Sequence, residues 1–390
     1  MFILEKPYIS DFLKQSLVKL QVPVLNTNVA RELLGAGKIN FISENSLVKT
    51  LRSNPSELIY TNSENAIKWI YHNLQFTELP GKIDLFKNKF KFRKLVQSQY
   101  PEFFFKEVRF DELDKLSIEG LSYPFIIKPS VGFFSLGVHK VIDAFSWEKT
   151  KSILKSDIRT IKGVYPKEVL DVGTLIIEAN IEGEEFAFDA YFNRNGRPVI
   201  LSLLKHLFSS DGDVHDRIYI SSKEIIENYI EQFLDFLQKL GHLSGLKNFP
   251  LHVEVRVDKS GKLIPIEINP LRFGGWCTTT DMTGFAYGFN PYEYLHLQKI
   301  PDWKSILKNK KGKIYSNIVL NNSTGIEVDK INSFNYENLL SKFEKTLEIR
   351  KADFKKFLIF GFLFTETREE NFKELEWILH TDLKEFISYN

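Results

Sequence analysis

The sequence predicts an α+β protein made of two or three packed units, and three observations support this fold class. Residues 1–80 alternate short apolar runs with helical patterns. Residues 103–205 are rich in strand patterns, and residues 251–268 have the pattern of a β-hairpin. Because 43% of the 390 residues are hydrophobic, the chain can bury a sizeable core.

The charge and cysteine content limit the classes of function. The 52 basic and 50 acidic side chains nearly cancel to a net charge of +2, so we expect no nucleic-acid partner. The single cysteine, Cys277, excludes an internal disulfide and a cysteine metal cluster, and it suits a cytoplasmic protein. The N-terminus lacks a secretory signal pattern, and no apolar run approaches the roughly 18 residues of a membrane span, so we expect no membrane partner.

The first part of the chain is predicted to be a small α/β layer. Apolar runs at 2–4, 22–25 and 58–60 indicate strands, and helical patterns cover 11–20 and 63–74. A basic helix is predicted over 84–99, ending before Pro101 because the residue before a proline is pushed away from helical geometry. We therefore place a domain boundary near residue 80.

Strands dominate the central part of the chain, and the C-terminal part is mixed. Five strands and one helix are predicted before residue 205, at 124–128, 137–142, 145–156 (the helix), 174–178, 184–193 and 198–204. A helix at 222–240 precedes the hairpin strands 251–257 and 262–268, and the chain ends with a predicted helix over 368–386. The expected domains are 1–80, a core of two subdomains at 81–305, and a small α+β domain at 306–390.

The hairpin carries the clearest candidate for chemistry. Side chains two residues apart share one face of a strand, so Glu267 and Asn269 point the same way, and the turn brings Glu254 roughly opposite Glu267. Facing carboxylates repel each other unless a cation neutralises them, and oxygen ligands suit Mg²⁺ bridged to phosphates. The alternative is two solvated glutamates, each paired with Arg256 or a lysine.

Two further segments carry polar residues at strand ends. Lys128 ends a buried strand before a loop with Gly132 and Gly137, and such a cation with backbone donors can hold a polyphosphate. Glu178 ends an apolar strand and Glu185 begins the next, where an acid and backbone amides could meet a nucleoside. The alternative for each is an ordinary solvated side chain.

The combination and order of these features over residues 84–290 closely resemble the ATP-grasp superfamily, whose nucleotide lies between two α+β subdomains. The resemblance implies an ATP-grasp fold preceded by a small α/β domain. Lys89 is similar to an early phosphate-contacting lysine, although Lys87 or Lys91 could take that place. The implied nucleotide-binding residues, for the phosphates, the flap over them, the adenine hinge and the ribose, are Lys89, Lys128, Ser130, Gly132, Gly137, Glu178, Asn180, Ile181 and Glu185.

The metal ligands implied by the resemblance are Glu254, Glu267 and Asn269, for Mg²⁺ or Mn²⁺. Arg272 resembles an arginine that stabilises an acyl phosphate, but it follows Asn269 by three positions, whereas many relatives space it by two, so Leu271 looks like an insertion. Phe133 and Phe134 replace the small residues usual in the flap.

The resemblance further implies an ATP-dependent ligase that activates a carboxylate as an acyl phosphate and joins it to an amine. The expected partners are small-molecule carboxylates and amines, including amino acids or peptides, and a homodimer is expected by analogy only. Lys205 and Arg217 are candidates for binding the carboxylate, and residues 274–284, with Trp276, Asp281 and the threonines between them, are candidates for selecting the substrates, with Cys277 as a pocket wall. The alternatives are a bicarbonate-dependent carboxylase and a nucleotide-binding module without turnover.

Overall fold

A computed structural model of the chain describes residues 1–35, 37–132, 137–161, 171–210 and 216–389. The N-terminal residues form a parallel sheet whose strand order is β3-β2-β1-β4. Its elements are β1 (Phe2–Ile3), α1 (Asp11–Leu20), β2 (Val24–Leu25), α2 (Asn28–Leu34), β3 (Phe41–Ile42), α3 (Glu44–Ser53), β4 (Tyr60–Thr61) and α4 (Ile67–Asn73). Side chains of Ser10, Thr27 and Ser43 cap the first three helices by accepting a backbone N–H.

Two short helices connect this layer to the rest of the molecule, α5 (Leu79–Lys87) and α6 (Lys89–Val96). The prediction of one helix over 84–99 is wrong, because Asn88 leaves the helical conformation and caps α6 by accepting the N–H of Lys91 at 3.0 Å. Asparagine competes for backbone hydrogen bonds in this way, and a helical periodicity does not reveal it. The break makes Lys89 the first residue of α6.

A small antiparallel sheet follows, with the order β5-β8-β6-β7. Its elements are β5 (Phe105–Arg109), β6 (Phe125–Val131), β7 (His139–Val141), α7 (Ala144–Ile161) and β8 (Asp171–Ala179). This small sheet has its own hydrophobic core, in which Phe125 and Ile127 pack with Trp147 and Leu154 of the helix.

Within the described residues, a larger antiparallel sheet has nine strands in the order β14-β13-β9-β11-β12-β15-β18-β17, with β10 beside β9. The first part is made of β9 (Glu184–Phe192), β10 (Pro198–Ile200), β11 (Leu204–Leu207), β12 (Ile218–Ser222), α8 (Lys223–Ser244), β13 (Phe249–Val257) and β14 (Leu263–Pro270). Helix α8 covers one face, where its Phe233 packs on Phe186 and Phe188 of β9. Because strand side chains alternate, Glu185 and Asp189 lie on the opposite face.

The C-terminal residues extend this large sheet, since β15 pairs with β12. Their elements are α9 (Thr278–Tyr287), α10 (Pro291–Leu297), α11 (Trp303–Ile306), β15 (Lys313–Asn321), β16 (Ile331–Phe334), α12 (Tyr336–Leu340), β17 (Thr346–Lys351), α13 (Phe354–Phe357), β18 (Ile359–Arg368), α14 (Lys373–His380) and β19 (Ile387–Tyr389). The predicted final helix over 368–386 is too long, because β18 runs to Arg368 and α14 ends at His380. None of the helices described is both long and apolar enough to cross a membrane.

Candidate active site

The predicted facing of the two hairpin glutamates is confirmed. Glu254 of β13 is the direct partner of Glu267 of β14, and His252 is the partner of Asn269. The pairing shifts register after Glu254, and Nδ2 of Asn269 donates to Oε1 of Glu267 at 3.0 Å. Directly paired residues of neighbouring strands share a face, so these four side chains lie together on the face opposite α8.

The two carboxylates differ in their electrostatic surroundings. Burial and the neighbouring Glu267 raise the pKa of Glu254 above its ordinary value. Burial alone would also raise the pKa of Glu267, but Lys89 and Lys87 outweigh it and hold that pKa well below its usual range. The pair therefore brings two negative charges close together. The nearby lysines compensate mainly the charge of Glu267.

Lys89 reaches this pair because α6 begins at that residue. Its Nζ lies 3.2 Å from Oε2 of Glu267 and donates to the carbonyl oxygen of Gly132 at 3.2 Å. Lys87 instead bonds Glu64 at 2.6 Å, and the half-exposed Lys91 bonds Asp84. Among the three lysines considered for this place, the structure thus brings Lys89 to both the candidate metal ligands and the glycine loop.

Glu178 ends β8 in a cluster with two cations. Its Oε1 lies 2.6 Å from Nζ of Lys128, and its Oε2 accepts from Nε of Arg93 at 2.7 Å. Burial would raise the pKa of Glu178, but the two cations lower it to about 2. Burial lowers the pKa of the Lys128 ammonium, although Glu178 opposes that shift. Arg93 was not among the predicted site residues, and its place inside a basic helical pattern gave no signal of this burial.

Arg93 also joins the two sheets. Its Nη1 donates to the carbonyl oxygen of Pro265, on β14, at 2.5 Å, while its Nε bonds Glu178 of the small sheet. Its guanidinium lies 4.5 Å from the ring centroid of Phe103. These contacts fix the guanidinium of Arg93 from several directions, so it holds the small sheet against the hairpin.

Glu185 lies at the start of β9 on the same face as the hairpin glutamates. Its carboxylate bonds Nδ1 of His206 at 3.1 Å and Nε of Arg256 at 3.0 Å. Nη1 of Arg256 in turn donates to the carbonyl oxygen of Ile181 at 2.6 Å. The N–H of Asn180 donates to the carbonyl oxygen of Pro124 at 3.4 Å. The predicted hinge residues and the predicted ribose acid are therefore linked through one arginine.

Comparisons with known proteins bear on the family and the fold. Residues 121–280 match the model of an ATP-grasp domain family. This part of the chain is an ATP-grasp domain, and the predicted resemblance to the ATP-grasp superfamily is confirmed. The predicted α+β ATP-grasp fold is confirmed as well.

Solved ATP-grasp structures resemble the whole chain at low sequence identity. An L-amino acid ligase from Bacillus licheniformis superposes with a TM-score of 0.69 at 18% identity, covering 100% of this chain and 98% of that one. An N5-carboxyaminoimidazole ribonucleotide synthetase from Thermotoga maritima gives 0.64 at 14% identity, with coverages of 99% and 98%. Biotin carboxylase from Campylobacter jejuni, solved as a complex with β-γ-ATP, gives 0.61 at 14% identity, with coverages of 100% and 92%. No curated protein matches the sequence.

The structure describes the predicted flap only at its two ends. Ser130 is buried at the end of β6, and its Oγ has no hydrogen-bond partner among the described residues. Gly137 has a φ of +70°, a left-handed conformation that glycine adopts without strain. Phe133 and Phe134, the aromatic residues noted in the flap, lie outside the described residues.

Two predicted substrate-binding residues are not brought to the ATP-grasp site. Lys205 pairs with Phe186 in register, so its side chain lies on the α8 face, where it bonds Glu184. The guanidinium of Arg217 donates to the carbonyl oxygens of Ile378 (3.2 Å) and Thr381, in and just after α14. Both predictions are therefore wrong. Strand alternation directs the Lys205 side chain to the α8 face, away from the hairpin glutamates. The Arg217 guanidinium instead stabilises the packing of the C-terminal segment.

The site includes a histidine and an aspartate that the sequence reasoning missed. Nδ1 of His252 lies 2.8 Å from Oδ1 of Asp189, and its Nε2 lies 3.6 Å from Oε1 of Glu254. Burial would lower the pKa of His252, but its bonds to both acids raise it to about 9, so the imidazole is a cation at neutral pH. The sequence signal that could have identified His252 was its position two residues before Glu254, because side chains two residues apart share one face of a strand.

Asp189 also fixes the start of segment 274–284. It is fully buried, and it accepts hydrogen bonds from the N–H of Gly274 at 2.9 Å and from the hydroxyl of Thr279. A side chain at position 274 would collide with Thr279 at 2.4 Å, which explains a glycine there.

The rest of this segment contacts residues from the N-terminal and the C-terminal parts of the chain. Asp281 is buried, with Oδ2 2.6 Å from Nη2 of Arg350 on β17 and Oδ1 accepting from the Ser10 hydroxyl at 3.1 Å. Burial raises the pKa of Asp281 to about 7 despite the arginine, and burial raises the pKa of the Cys277 thiol to about 11. Trp276 is half-buried and stacks on Tyr8 at 5.9 Å between centroids. Of the residues expected to select substrates, Trp276 is thus more accessible than Asp281.

Proposed function

We propose that the chain is an ATP-dependent ligase that activates a small-molecule carboxylate as an acyl phosphate, releases ADP, and joins the acyl group to an amine. The observation that carries the proposal is the direct pairing of Glu254 with Glu267, beside Asn269 and within 3.2 Å of Lys89. The proposal is supported because two carboxylates, an amide oxygen and an ammonium lie together, and such groups suit a metal ion bridged to phosphates.

The hairpin oxygens fit a Mg²⁺ or Mn²⁺ ion that also binds phosphates. The described residues contain no group of three or more histidine, cysteine, aspartate or glutamate side chains suited to a metal. Mg²⁺ usually takes one or two protein carboxylates and completes its shell with substrate phosphates and water. Glu254, Glu267 and the amide of Asn269 would hold the ion, which supplies charge neutralisation for the polyphosphate.

The nucleotide is proposed to lie between the small sheet and the face of the hairpin. Lys89 and Lys128 would contact the phosphates. Oε1 of Glu178, 2.6 Å from Nζ of Lys128, would keep that lysine in position. The backbone at Asn180 and Ile181 would contact the adenine, and the carboxylate of Glu185 would bind the ribose hydroxyls. Arg256 orients Glu185 and the Ile181 carbonyl together, at 3.0 and 2.6 Å.

The proposed reaction has two steps. A carboxylate oxygen of the acid attacks the γ-phosphorus of ATP, the bond to the β-phosphate oxygen breaks, and ADP leaves. The amine then attacks the acyl carbon, phosphate leaves, and the amine loses a proton to water. Phosphoryl transfer depends on positioning and charge stabilisation more than on a protein nucleophile, which suits a site of lysines, an arginine and carboxylates.

The acid and amine are proposed to be small molecules, with amino acids or peptides as the first class to test. Segment 274–284 begins two residues after Arg272, and its half-buried Trp276 would contact the acid or the amine. The L-amino acid ligase from Bacillus licheniformis, which superposes over 100% of this chain, supports that choice of class.

The test is ADP release from MgATP by the purified protein, with pools of amino acids, peptides, small carboxylates or bicarbonate, each with and without an amine. We expect release that requires both a carboxylate and an amine and yields one phosphate per bond formed. Glu267→Ala should lower the rate at least about 100-fold, since it removes a group that stabilises the transferring phosphoryl. Glu107→Ala, at an exposed position of β5, is the matched control and should keep the wild-type rate.

Other outcomes favour the alternatives. A requirement for bicarbonate, with carboxylation of the amine, would indicate a carboxylase. Tight MgATP binding without ADP release from any pool would contradict the ligase and indicate a nucleotide-binding module.

A further inference from the structure

Glu64, in the N-terminal layer, lies beside the proposed active site although it precedes the family match at residues 121–280. Its carboxylate accepts from Nζ of Lys87 at 2.6 Å and from Nη2 of Arg272 at 2.9 Å, with Nε of Arg272 at 3.3 Å. Burial would raise the pKa of Glu64, but Lys87 and Arg272 lower it. One carboxylate thus holds two cations.

The two cations are connected to the candidate metal ligands. Lys87 ends α5, two residues before Lys89, which lies 3.2 Å from Glu267. Arg272 follows Asn269 by three positions. Glu64 therefore links the segment after Asn269 to the junction of α5 and α6, where Lys89 contacts Glu267.

The backbone before Arg272 is fixed by the same N-terminal layer. Leu271, the extra residue before the arginine, has a φ of +61°, which costs free energy for a side chain other than glycine. Its carbonyl oxygen accepts from the N–H of Thr61, on β4, at 2.7 Å. Nη1 of Arg272 donates to the carbonyl oxygen of Phe273 at 2.9 Å. The arginine is therefore positioned through its main chain by β4 and through its side chain by Glu64.

We propose that Glu64 is a positioning residue that holds Arg272 and Lys87 as neighbouring cations beside the metal-binding carboxylates. The inference rests on the proposed function, because these cations would receive the anionic oxygens of the substrate carboxylate and of the transferring phosphoryl group. Glu64 itself is occupied by the two cations and does not contact substrate. The N-terminal layer thus completes the active site, and the contact of Thr61 with Leu271 helps to position Arg272.

A paired set of variants tests this role. Glu64→Gln removes the charge but keeps the shape, and Glu44→Gln is the control, since Glu44 is an exposed glutamate of the same layer that bonds Trp69 at 3.0 Å. We expect Glu64→Gln to lower kcat about 10- to 100-fold, as for other residues that orient a catalytic group. The KM for MgATP should change by less than about threefold, because Lys89 and Lys128 keep their places.

A double-mutant cycle separates positioning from general damage. Because Glu64 acts through Arg272 and Lys87, adding Glu64→Gln to a variant that carries both Arg272→Ala and Lys87→Ala should lower kcat by less than about twofold. If Glu64→Gln does not fold, Glu64→Asp tests the same role, because it keeps the charge but shortens the side chain. We expect it to lower kcat at unchanged KM. A wild-type kcat in Glu64→Gln, a KM for MgATP that rises as much as kcat falls, or additive losses in the cycle would overturn the proposal.

A binding measurement distinguishes failure of this inference from failure of the proposed function. If the wild type releases no ADP with any carboxylate and amine, the ligase proposal fails and orthovanadate, titrated in the presence of MgADP, becomes the probe. Glu64→Gln should weaken orthovanadate binding at least about tenfold, and Glu44→Gln should not. Equal binding by Glu64→Gln and the wild type, or no binding by the wild type, would overturn the role of Glu64.

Discussion

The proposed nucleotide site contains two acid clusters, and they differ in burial and in the cations around them. In the first, on the small sheet, Glu178 has two cations within 2.7 Å, Lys128 and Arg93. In the second, on the hairpin, Glu254 and Glu267 face each other, and their nearest cations, His252 and Lys89, lie at 3.6 and 3.2 Å. The first holds one carboxylate between two cations, whereas the second brings two carboxylates together.

This difference indicates different roles for the same residue type. A buried carboxylate with two close cations has a pKa of about 2 and stays charged, so Glu178 stabilises the contact between sheets and holds Lys128 in place. Facing carboxylates destabilise each other, and burial with Glu267 raises the pKa of Glu254. Such a pair is suited to binding a divalent cation, and it should cost the free protein stability.

The largest expected effect is the loss of stability in Glu178→Ala. Removing the acid leaves Lys128 and Arg93 buried without their partner, and breaking a buried pair in this way typically costs about 3–5 kcal/mol. Urea unfolding of the variant and the wild type measures the difference in the free energy of unfolding. A loss under about 1 kcal/mol would remove the distinction between the two clusters.

The acid dependence of stability should follow from the same residue. The pKa of Glu178 is lowered from 4.5 to about 2 on folding, so its contribution is fully present above pH 4.5 and is lost as the pH falls toward 2. The contribution is on the order of 3 kcal/mol. Unfolding free energies measured between pH 6 and pH 2 should fall less steeply in Glu178→Gln than in the wild type. Parallel curves would contradict this assignment.

Glu254→Gln should separate stability from activity. It removes the repulsion with Glu267 while keeping the shape, so without Mg²⁺ the variant should be as stable as the wild type or up to about 1 kcal/mol more stable. Its ADP release should fall about 100-fold, since a ligand of the proposed ion is lost. Thermal melts with and without Mg²⁺ and ADP check both parts, and a destabilised variant would contradict the facing of the two acids.

The smallest expected effect is that of Lys205→Met, which provides an exposed pair for reference. Lys205 bonds Glu184 on the α8 face, with 27% and 49% of the two side chains exposed. Solvent screens such a pair, so the unfolding free energy should change by less than about 1 kcal/mol. The rate of ADP release should stay within about twofold of wild type. A large loss of activity would restore Lys205 as a substrate-binding residue.

The sequence predicted the strands of the site better than its helices. Strand alternation and turn residues are local, so the facing of Glu254 and Glu267 could be predicted from the hairpin alone. The break at Asn88 depends on a side chain competing for one backbone N–H, and a helical periodicity over 84–99 hides it.

The sequence by itself determined the fold class and the paired acids of the hairpin, because these depend on period and spacing along the chain, whereas the superfamily was indicated by the resemblance of its motifs to a known family. Only the tertiary structure decided that Lys89 contacts Glu267, that Arg93 shares Glu178, that His252 joins the site, and that Lys205 and Arg217 do not. The contact of Lys89 with Glu267 and that of Arg93 with Glu178 join residues 178 and 85 positions apart in the chain. Long-range ion pairing of this kind leaves no periodic signal in a single sequence.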